Sequence, residues 1–276
     1  MALTTAVFAV FGTASALANP KGEYAVFAQC PTKNAELSAC LVARAESGSV
    51  QFGTETVPVV FTQTLQGGFI ENEEGFEKFV GAANGETLSK TPQKVPGGLS
   101  GLVNCTEIKE PKAKKACEEV FENKLTGVYA TLELAGPASS IGIDEAALFE
   151  ENGTALSLPI KVKIENPLLG STCYLGSESA PIVTELSSGT SGSLKGKFGT
   201  LGARAEGEIA VITDNTLVNN TVSVPGAKGC GGPLFEAVLD PIVNARLGIP
   251  AGKGKNKVTL NGTLEQTSAR AAREHE

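Results

Sequence analysis

The sequence predicts a mainly β protein, with antiparallel sheets packed as a sandwich or closed in a barrel-like form, a few short helices and disulfide bridges. Three observations support this class: segments that alternate apolar and polar residues, Gly, Pro and Asn turns between them, and six cysteines. In an antiparallel sheet one face packs on the core and the other meets water, so apolar residues recur at every second position.

The clearest strand pattern is ALSLPIKVKIENP at residues 155–167. Every second residue from Leu156 to Ile164 is Leu, Ile or Val, which puts these side chains on one face of a strand. Residues 126–137 alternate likewise, with an inward face of Val128, Ala130, Leu132 and Leu134. Similar segments predict strands at 24–29, 40–45, 57–64, 208–213 and 257–265.

Residues 233–250, PLFEAVLDPIVNARLGIP, predict the longest helical region. Asp240 and Pro241 can cap and begin a second helix within it, and Gly248 can end that helix. A shorter helix is predicted at 144–153. The stripe expected to face the core consists of Phe235, Val238, Leu239, Ile242, Val243 and Leu247.

Residues 1–18 predict a signal peptide that is removed before the protein folds. They contain a short apolar run and end in Ala16-Leu17-Ala18, the small-x-small pattern that signal peptidase cleaves. We therefore expect the mature chain to begin at Asn19.

The rest of the chain predicts one folded unit. Residues 19–268 are expected to form a single β-rich secreted domain, with two sub-layers that meet around 82–126. Within that region, 82–101 is a polar, glycine-containing segment typical of a surface loop. Residues 269–276 are expected to form a charged, frayed tail.

Charge and hydropathy bear on the partners of the chain. The formal net charge is −7, and lysine and arginine are scattered along the chain. An acidic chain lacks the counter-charge that a phosphate backbone requires, so we expect no nucleic-acid partner. No later segment approaches the roughly 18 uninterrupted apolar residues of a transmembrane span. We expect a secreted, extracellular protein that can associate with the cell surface and has an unknown extracellular or cell-envelope partner.

Six cysteines that follow an export signal predict disulfide bridges. The alternative, a reactive or metal-binding cysteine, needs a partner base or a Cys-x-x-Cys or Cys/His cluster, and the sequence contains one histidine, His275. Glycines beside the last cysteine let two backbones approach closely. Spacing favours pairing between neighbours in sequence: Cys30 with Cys40, Cys105 with Cys117, and Cys173 with Cys230.

Five stretches carry a family resemblance: FAQCP, ANGETLSKTPQKVPGGLSGL, TALSLPIKVKIENPLLGSTCYLGS, VPGAKGCGG and LDPIVNARLGIPAG. Together they resemble an uncharacterised family of secreted actinobacterial proteins, over nearly the whole mature chain. The resemblance implies a bacterial exported protein in which the two loop cysteines recur. It implies no activity and no catalytic or binding residue.

The residue content offers few routes to catalysis. A lone histidine near the C-terminus excludes a Ser-His-Asp triad and a His-rich metal site, unless that terminus folds inward. Acidic clusters at 71–77 and 149–153 supply carboxylates, although consecutive acids are more typical of a solvated surface. We predict no catalytic residue, no metal site and no cofactor. Oxygen ligands without the spacing of a calcium loop occur at Asp214, Asn215, Asn219 and Asn220.

The leading functional hypothesis is a secreted or cell-surface β-rich binding or structural protein without enzymatic activity. One alternative is an extracellular hydrolase that uses two carboxylates, which would face each other across a pocket about 5–9 Å apart. A second alternative is a subunit of a surface assembly, which an unpaired edge strand or a large apolar patch would indicate.

Overall fold

A computed structural model of the protein describes residues 20–71, 77–98, 109–112, 114–115 and 126–276. The predicted signal peptide therefore lies outside the described residues, as does the Cys105–Cys117 pair. Residues 111–112 and 114–115 are helical.

The first sheet has seven antiparallel strands: β1 (Ala39–Phe52), β2 (Glu55–Pro58), β3 (Gln63–Glu71), β4 (Glu77–Gly81), β13 (Thr200–Arg204), β14 (Ile209–Asn219) and β16 (Lys257–Ser268). Their order across the sheet is β13-β14-β16-β1-β3-β4, and β2 also pairs with β1. The centre of the sheet is the long pair of β1 and β16, whose register runs from Ala39 opposite Ser268 to Gln51 opposite Lys257.

The second sheet also has seven strands: β5 (Gln93–Val95), β6 (Val128–Leu134), β7 (Gly142–Ile143), β8 (Leu156–Glu165), β9 (Tyr174–Leu175), β10 (Ile182–Leu186) and β15 (Ala227–Lys228). Their order across the sheet is β15-β9-β8-β6-β5, and β7 and β10 both pair with β8. A separate hairpin joins β11 (Thr190–Ser191) to β12 (Leu194–Lys195).

Strand β8 shows how the sequence pattern builds the second sheet. Burial alternates along it, so that Leu158, Ile160 and Val162 are buried and the residues between them are half-buried. Lys161 lies near Glu133 on the neighbouring strand β6, at 3.8 Å from nitrogen to oxygen, on the outer face. The predicted period of two is confirmed, because the sheet packs on one face and meets water on the other.

The two sheets share one hydrophobic core. Leu41 and Phe69 of the first sheet belong to the same buried cluster as Leu158 and Val162 of the second. The structure is therefore an antiparallel β-sandwich stapled by disulfides, which confirms the predicted fold class and selects the sandwich from its two forms. Residues on the facing sides of both sheets supply this core.

Two α-helices lie near the C-terminus: α1 (Gly232–Leu247) precedes β16, and α2 (Ala269–Glu274) follows it. Helix α1 continues through Pro241 without a break, so the predicted restart at Asp240 is wrong. Pro241 and Ala237 are both exposed, so water can bond the carbonyl that the proline leaves without a donor. Gly248 ends the helix in the left-handed conformation, with φ of 63°, as predicted.

The strand predicted at 24–29 is instead a 3₁₀ helix, Gly22–Phe27. Tyr24 and Phe27 are its buried residues, and their spacing of three matches one turn of such a helix rather than the period of a strand. The strand predicted at 57–64 is also wrong in the middle, because the chain leaves the first sheet after β2 and re-enters it at β3.

Two other segments differ from expectation in detail. The helix predicted at 144–153 is reduced to a short 3₁₀ helix, Ala146–Phe149. The predicted loop at 82–101 contains β5, whose residues Gln93 and Val95 are buried.

The predicted frayed tail is instead an ordered helix. Ser268 caps α2 by accepting a hydrogen bond from the N–H of Ala271, and Ala269, Ala271 and Ala272 are buried. Arg273 of the same helix donates to the carbonyl oxygens of Thr32 and Asn34, at 2.8 and 2.7 Å. The three alanines form an inner face that packs in the same buried cluster as Tyr24 and Phe27. Because charged residues are interspersed with these alanines, the sequence pattern did not indicate a buried helix.

Both disulfide bridges predicted within the described residues are present: Cys30–Cys40 and Cys173–Cys230. The first joins the N-terminal segment to β1. The second joins the loop before β9 to the loop before α1. All four cysteines are buried in hydrophobic clusters, so they act as structural links.

Candidate functional site

A cavity of about 310 Å³ lies between the two sheets. Its wall is formed mainly by aliphatic side chains from both layers, with a smaller number of polar residues. An apolar cavity of this kind is poorly hydrated, because water inside it finds few hydrogen-bond partners. Representative wall residues are Leu41, Val50 and Leu260 from the first sheet, and Ala130, Leu132 and Val162 from the second.

The inner faces of the sheets are incompletely packed around this cavity. Ala130, Leu132, Leu260 and Leu264 line it, and each is half-buried rather than buried. In a filled sandwich, inward side chains of the two sheets interdigitate and leave few voids. These residues remain accessible because they face the cavity.

The cavity reaches the surface between β2 and α1. Among its lining residues, Pro58 of β2 and Ile242 of α1 are the exposed ones within the described part of the chain. Val243 and Leu247, from the inner side of α1, also line it. Helix α1 therefore forms one side of the mouth.

Two polar side chains set the orientation of α1. The carboxylate of Asp240 accepts hydrogen bonds from the backbone N–H groups of Gly229 and Cys230, at 3.2 and 2.8 Å. Asn244 exchanges hydrogen bonds with the backbone of Ala227. These contacts turn the polar residues of the helix toward the protein.

The predicted core-facing stripe of α1 is therefore only half correct. Leu239, Val243 and Leu247 pack against the hydrophobic core. The other three members of the stripe are turned outward, with exposed fractions of 60% for Phe235, 60% for Val238 and 57% for Ile242.

The Cys173–Cys230 bridge holds the start of α1 against the second sheet. The N–H of Gly231 donates to the carbonyl oxygen of Leu169 at 2.7 Å, and the hydroxyl of Thr172 donates to the carbonyl oxygen of Gly229 at 2.7 Å. The two glycine-rich cysteine loops thus position the helix at the cavity mouth and leave no free thiol there.

Two buried glutamines hold the loop that follows β2. The Gln93 side-chain oxygen accepts from the N–H groups of Val60 and Phe61, at 2.9 and 3.1 Å. Gln63 donates to the carbonyl oxygens of Phe61 and Thr91. Its own Oε1 is buried and has no donor among the described residues. These bonds fix the loop with Val60 and Phe61 exposed.

Glu55 is the one carboxylate that lines the cavity within the described ranges, and it shares the mouth with Arg246. Burial raises the pKa of Glu55 above its ordinary value, and the positive charge of Arg246 opposes that rise without cancelling it. A carboxyl group whose pKa is raised by folding binds its proton more tightly in the folded state.

This shift predicts a pH-dependent effect of replacing Glu55. The stabilisation from its raised pKa is complete below the unfolded pKa and is lost as pH rises through the folded pKa. We expect Glu55→Gln to raise the Tm at pH 7, where the half-buried carboxylate is charged, and to have little effect at acidic pH, where Glu55 is protonated. Thermal unfolding followed by circular dichroism at both pH values measures this. The exposed Glu36→Gln is the control, and a Glu55→Gln effect equal at both pH values would contradict the prediction.

The other acidic and oxygen-rich candidates are not gathered into a metal-binding cluster within the described residues. Residues 72–76 of the first acidic cluster lie outside the described residues, and Glu150 and Glu151 of the second are exposed. Asn219 and Asn220 are buried and bond the surrounding backbone and side chains instead of a metal. Within the described ranges, no three His, Cys, Asp or Glu side chains lie together as a metal site would require.

His275 folds inward and stacks on Tyr24, with ring centroids 3.9 Å apart. The hydroxyl of Tyr24 donates to the carboxylate of Glu208, and this hydrogen bond, together with burial, raises the pKa of Tyr24 to about 12. The tyrosine therefore keeps its proton at neutral pH. Its contacts link the two ends of the described chain rather than preparing a nucleophile.

Fold and site together define a disulfide-bridged β-sandwich with an apolar cavity between its sheets. Comparisons with protein-family models, with curated proteins and with solved structures find no match for this chain. Among the described residues, none of the helices combines the length and hydropathy needed to cross a bilayer.

Sequence reasoning missed the cavity, although it assigned several of its wall residues to inward strand faces. Val128, Ala130, Leu132 and Leu134 were predicted to face inward, and the first three line the cavity. The pattern shows which side chains face the other layer. It does not show whether they meet the opposite sheet or leave a space.

Proposed function

We propose that the protein is a secreted or cell-surface binding protein that holds an apolar ligand, or the apolar part of an amphipathic one, between its two sheets. The observation that carries the proposal is the aliphatic cavity of about 310 Å³. The ligand class is a hydrocarbon chain or a compact nonpolar ring system, because the wall offers mainly carbon surface.

The size of the cavity suits such a ligand. A cavity of about 150 Å³ lined by Leu, Ile and Phe binds benzene, and ligand sites commonly start at about 300 Å³. Each methylene group buried there contributes about 0.8 kcal/mol, so a chain of about ten contributes roughly 8 kcal/mol before the cost of association. Association costs at least about 4 kcal/mol, which leaves about 4 kcal/mol, so a dissociation constant of about 1 mM is expected for a chain of that length and a tighter one for a longer chain.

Export fits this proposal. The two disulfides are typical of an oxidising compartment, and the N-terminal sequence has the pattern of a signal peptide. An exported protein that encloses an apolar molecule shields that molecule from water outside the cell.

The hydrolase alternative receives less support from this site. A two-carboxylate mechanism needs a second acid across the pocket, and the described wall contributes Glu55 alone. The exposed apolar face of α1 is the feature that favours a surface assembly. A dimer formed through that face would support this alternative.

Filling the cavity tests the proposed function. Ala130→Phe places a ring into the space between the sheets, so it should lower affinity for the uncharged apolar dye N-phenyl-1-naphthylamine by at least about tenfold and raise the Tm by a few degrees. Fluorescence titration and thermal unfolding of the mature protein measure the two effects. The increase in Tm shows that the ring occupies space that was empty.

The matched control is Val183→Phe, which adds the same ring at an exposed position of β10. It should leave dye affinity unchanged. Equal dye affinity in the unsubstituted protein and a correctly folded Ala130→Phe variant would overturn the proposal, as would the absence of dye binding by the unsubstituted protein.

A further inference from the structure

The outer face of α1 is an apolar surface without a partner in the described structure. We define the α1 outer face as Leu234, Phe235, Val238 and Ile242, with exposed fractions of 86%, 60%, 60% and 57%. Ala237, Pro241 and Ala245 are exposed beside them, and Glu236 is the one charged residue among them. Contiguous exposure of large apolar side chains marks an interaction surface.

This exposure is built into the packing of the helix. Asp240 and Asn244 face inward and bond the backbone at 227–230, so the apolar side chains on the opposite side cannot turn toward the core without breaking those bonds. The Cys173–Cys230 bridge fixes the start of the same helix. The outer face is thus held in the exposed orientation.

The α1 outer face is continuous with the mouth of the cavity. Ile242 belongs to both, since it is exposed on the helix and also lines the cavity. A surface that covered the outer face would therefore lie directly against the opening between α1 and β2.

The residues that follow the outer face are basic. From Pro241 to Leu264 the chain contains four basic residues and no acidic one, although the protein as a whole carries a net charge of −7. Lys253, Lys255 and Lys257 are exposed. Their turn lies near the end of α1, because the N–H of Gly53 donates to Asn256 and the N–H of Thr54 donates to the carbonyl oxygen of Leu247.

We propose that the α1 outer face docks on the surface of an anionic phospholipid bilayer, with its apolar side chains among the acyl chains and Lys253, Lys255 and Lys257 beside the headgroups. An exposed apolar helix face flanked by cationic residues has the chemistry of interfacial helices that bind anionic lipid. The inference rests on the proposed function, since docking there aligns the cavity mouth with the bilayer and lets an apolar ligand pass without crossing water.

Vesicle binding tests this proposal with the mature protein. It should co-sediment with vesicles of phosphatidylglycerol and phosphatidylcholine in equal parts, and much less with pure phosphatidylcholine or at high salt. Leu234→Ser/Phe235→Ser should lower the partition coefficient by about tenfold or more, because two large apolar side chains no longer enter the lipid. Both side chains are exposed and lie outside the cavity lining, so we expect the variant to fold normally.

Matched variants isolate each contribution. Phe198→Ser/Leu201→Ser removes two exposed apolar side chains near the edge of the first sheet and should leave vesicle binding unchanged. Lys253→Glu/Lys255→Glu should abolish the preference for anionic vesicles, whereas Lys33→Glu/Lys90→Glu, at exposed positions elsewhere, should preserve it.

Three outcomes would overturn the proposal: no binding of the unsubstituted protein to anionic vesicles, equal loss in the α1 pair and its control, or a dimer that Leu234→Ser/Phe235→Ser dissociates. In the last case a second copy covers the face. Dye binding in solution separates this test from the proposed function, since Leu234→Ser/Phe235→Ser should keep it and Ala130→Phe should lose it. Intact dye binding without vesicle binding would reject the docking surface alone.

Discussion

Replacing both Cys173 and Cys230 with alanine should lower the free energy of unfolding by about 4 kcal/mol, the value expected for a bridge that closes a long loop. The bridge spans 57 positions and links the loop before β9 to the start of α1. Strands β9 and β15, which lie beside the bridge, pair with each other over only two positions, so the sheet itself contributes few hydrogen bonds at this edge. Guanidinium unfolding of the mature, oxidised protein measures the change as a lower midpoint.

The control is Cys30→Ala/Cys40→Ala, which opens a loop of 10 positions and should cost about 3 kcal/mol. The difference between the two variants should exceed this 1 kcal/mol, because the longer bridge also positions a helix. A larger cost for the Cys30/Cys40 pair would contradict the role that we assign to the cysteine loops.

Asn256→Ala should lower the free energy of unfolding by about 3 kcal/mol, because it leaves several buried backbone groups without partners. Asn256 is fully buried. Its side-chain oxygen accepts from the N–H of Gly53 at 2.9 Å, and its side-chain nitrogen lies within 3.1 Å of the carbonyl oxygens of Val222, Ala251 and Gly252. One amide therefore ties together three loops at the end of the sandwich.

Asn84→Ala is the matched control, since Asn84 is exposed and its side chain accepts a single bond, from the N–H of Glu86. It should cost less than about 1 kcal/mol. Equal denaturation midpoints for the two variants would show that water replaces the bonds of Asn256.

The cavity lowers the stability that core packing supplies, and the disulfides offset that loss. At about 24 cal/mol per Å³, an empty cavity of 310 Å³ costs about 7 kcal/mol relative to a filled core. The two described disulfides offset a similar amount, about 3 and 4 kcal/mol in the chain-entropy model. A sandwich with a cavity between its sheets thus retains its fold through disulfides and the hydrogen bonds of buried amide side chains rather than through complete packing.

Strand identity was largely predictable because it depends on local alternation. The sequence predicted β8 and β6 and their inward faces, and the structure confirms both. Two of the three predicted disulfide pairs lie within the described residues, and both are formed. Where a segment has another spacing, as between Tyr24 and Phe27, a rule based on a period of two assigned the wrong element.

The orientation of α1 could not be read from its own sequence. Its apolar residues fit a core-facing stripe, yet Asp240 and Asn244 find backbone partners at 227–230 and rotate half of that stripe toward solvent. Those partners lie in the segment before the helix, and the helical pattern of α1 does not show that its polar residues will contact them. The tail helix α2 was missed for a related reason, since its alanine face is buried only once Tyr24 and Phe27 lie beneath it.

By itself the sequence determined the fold class, the inward faces of the main strands and the disulfide pairs that the structure describes, because each follows from spacing along the chain. The tertiary structure alone decided that the layers leave a cavity between Ala130 and Leu260, and that α1 presents an apolar face at its mouth. Both features depend on the distance and angle between elements far apart in sequence, and a pattern of residue types carries no measure of either.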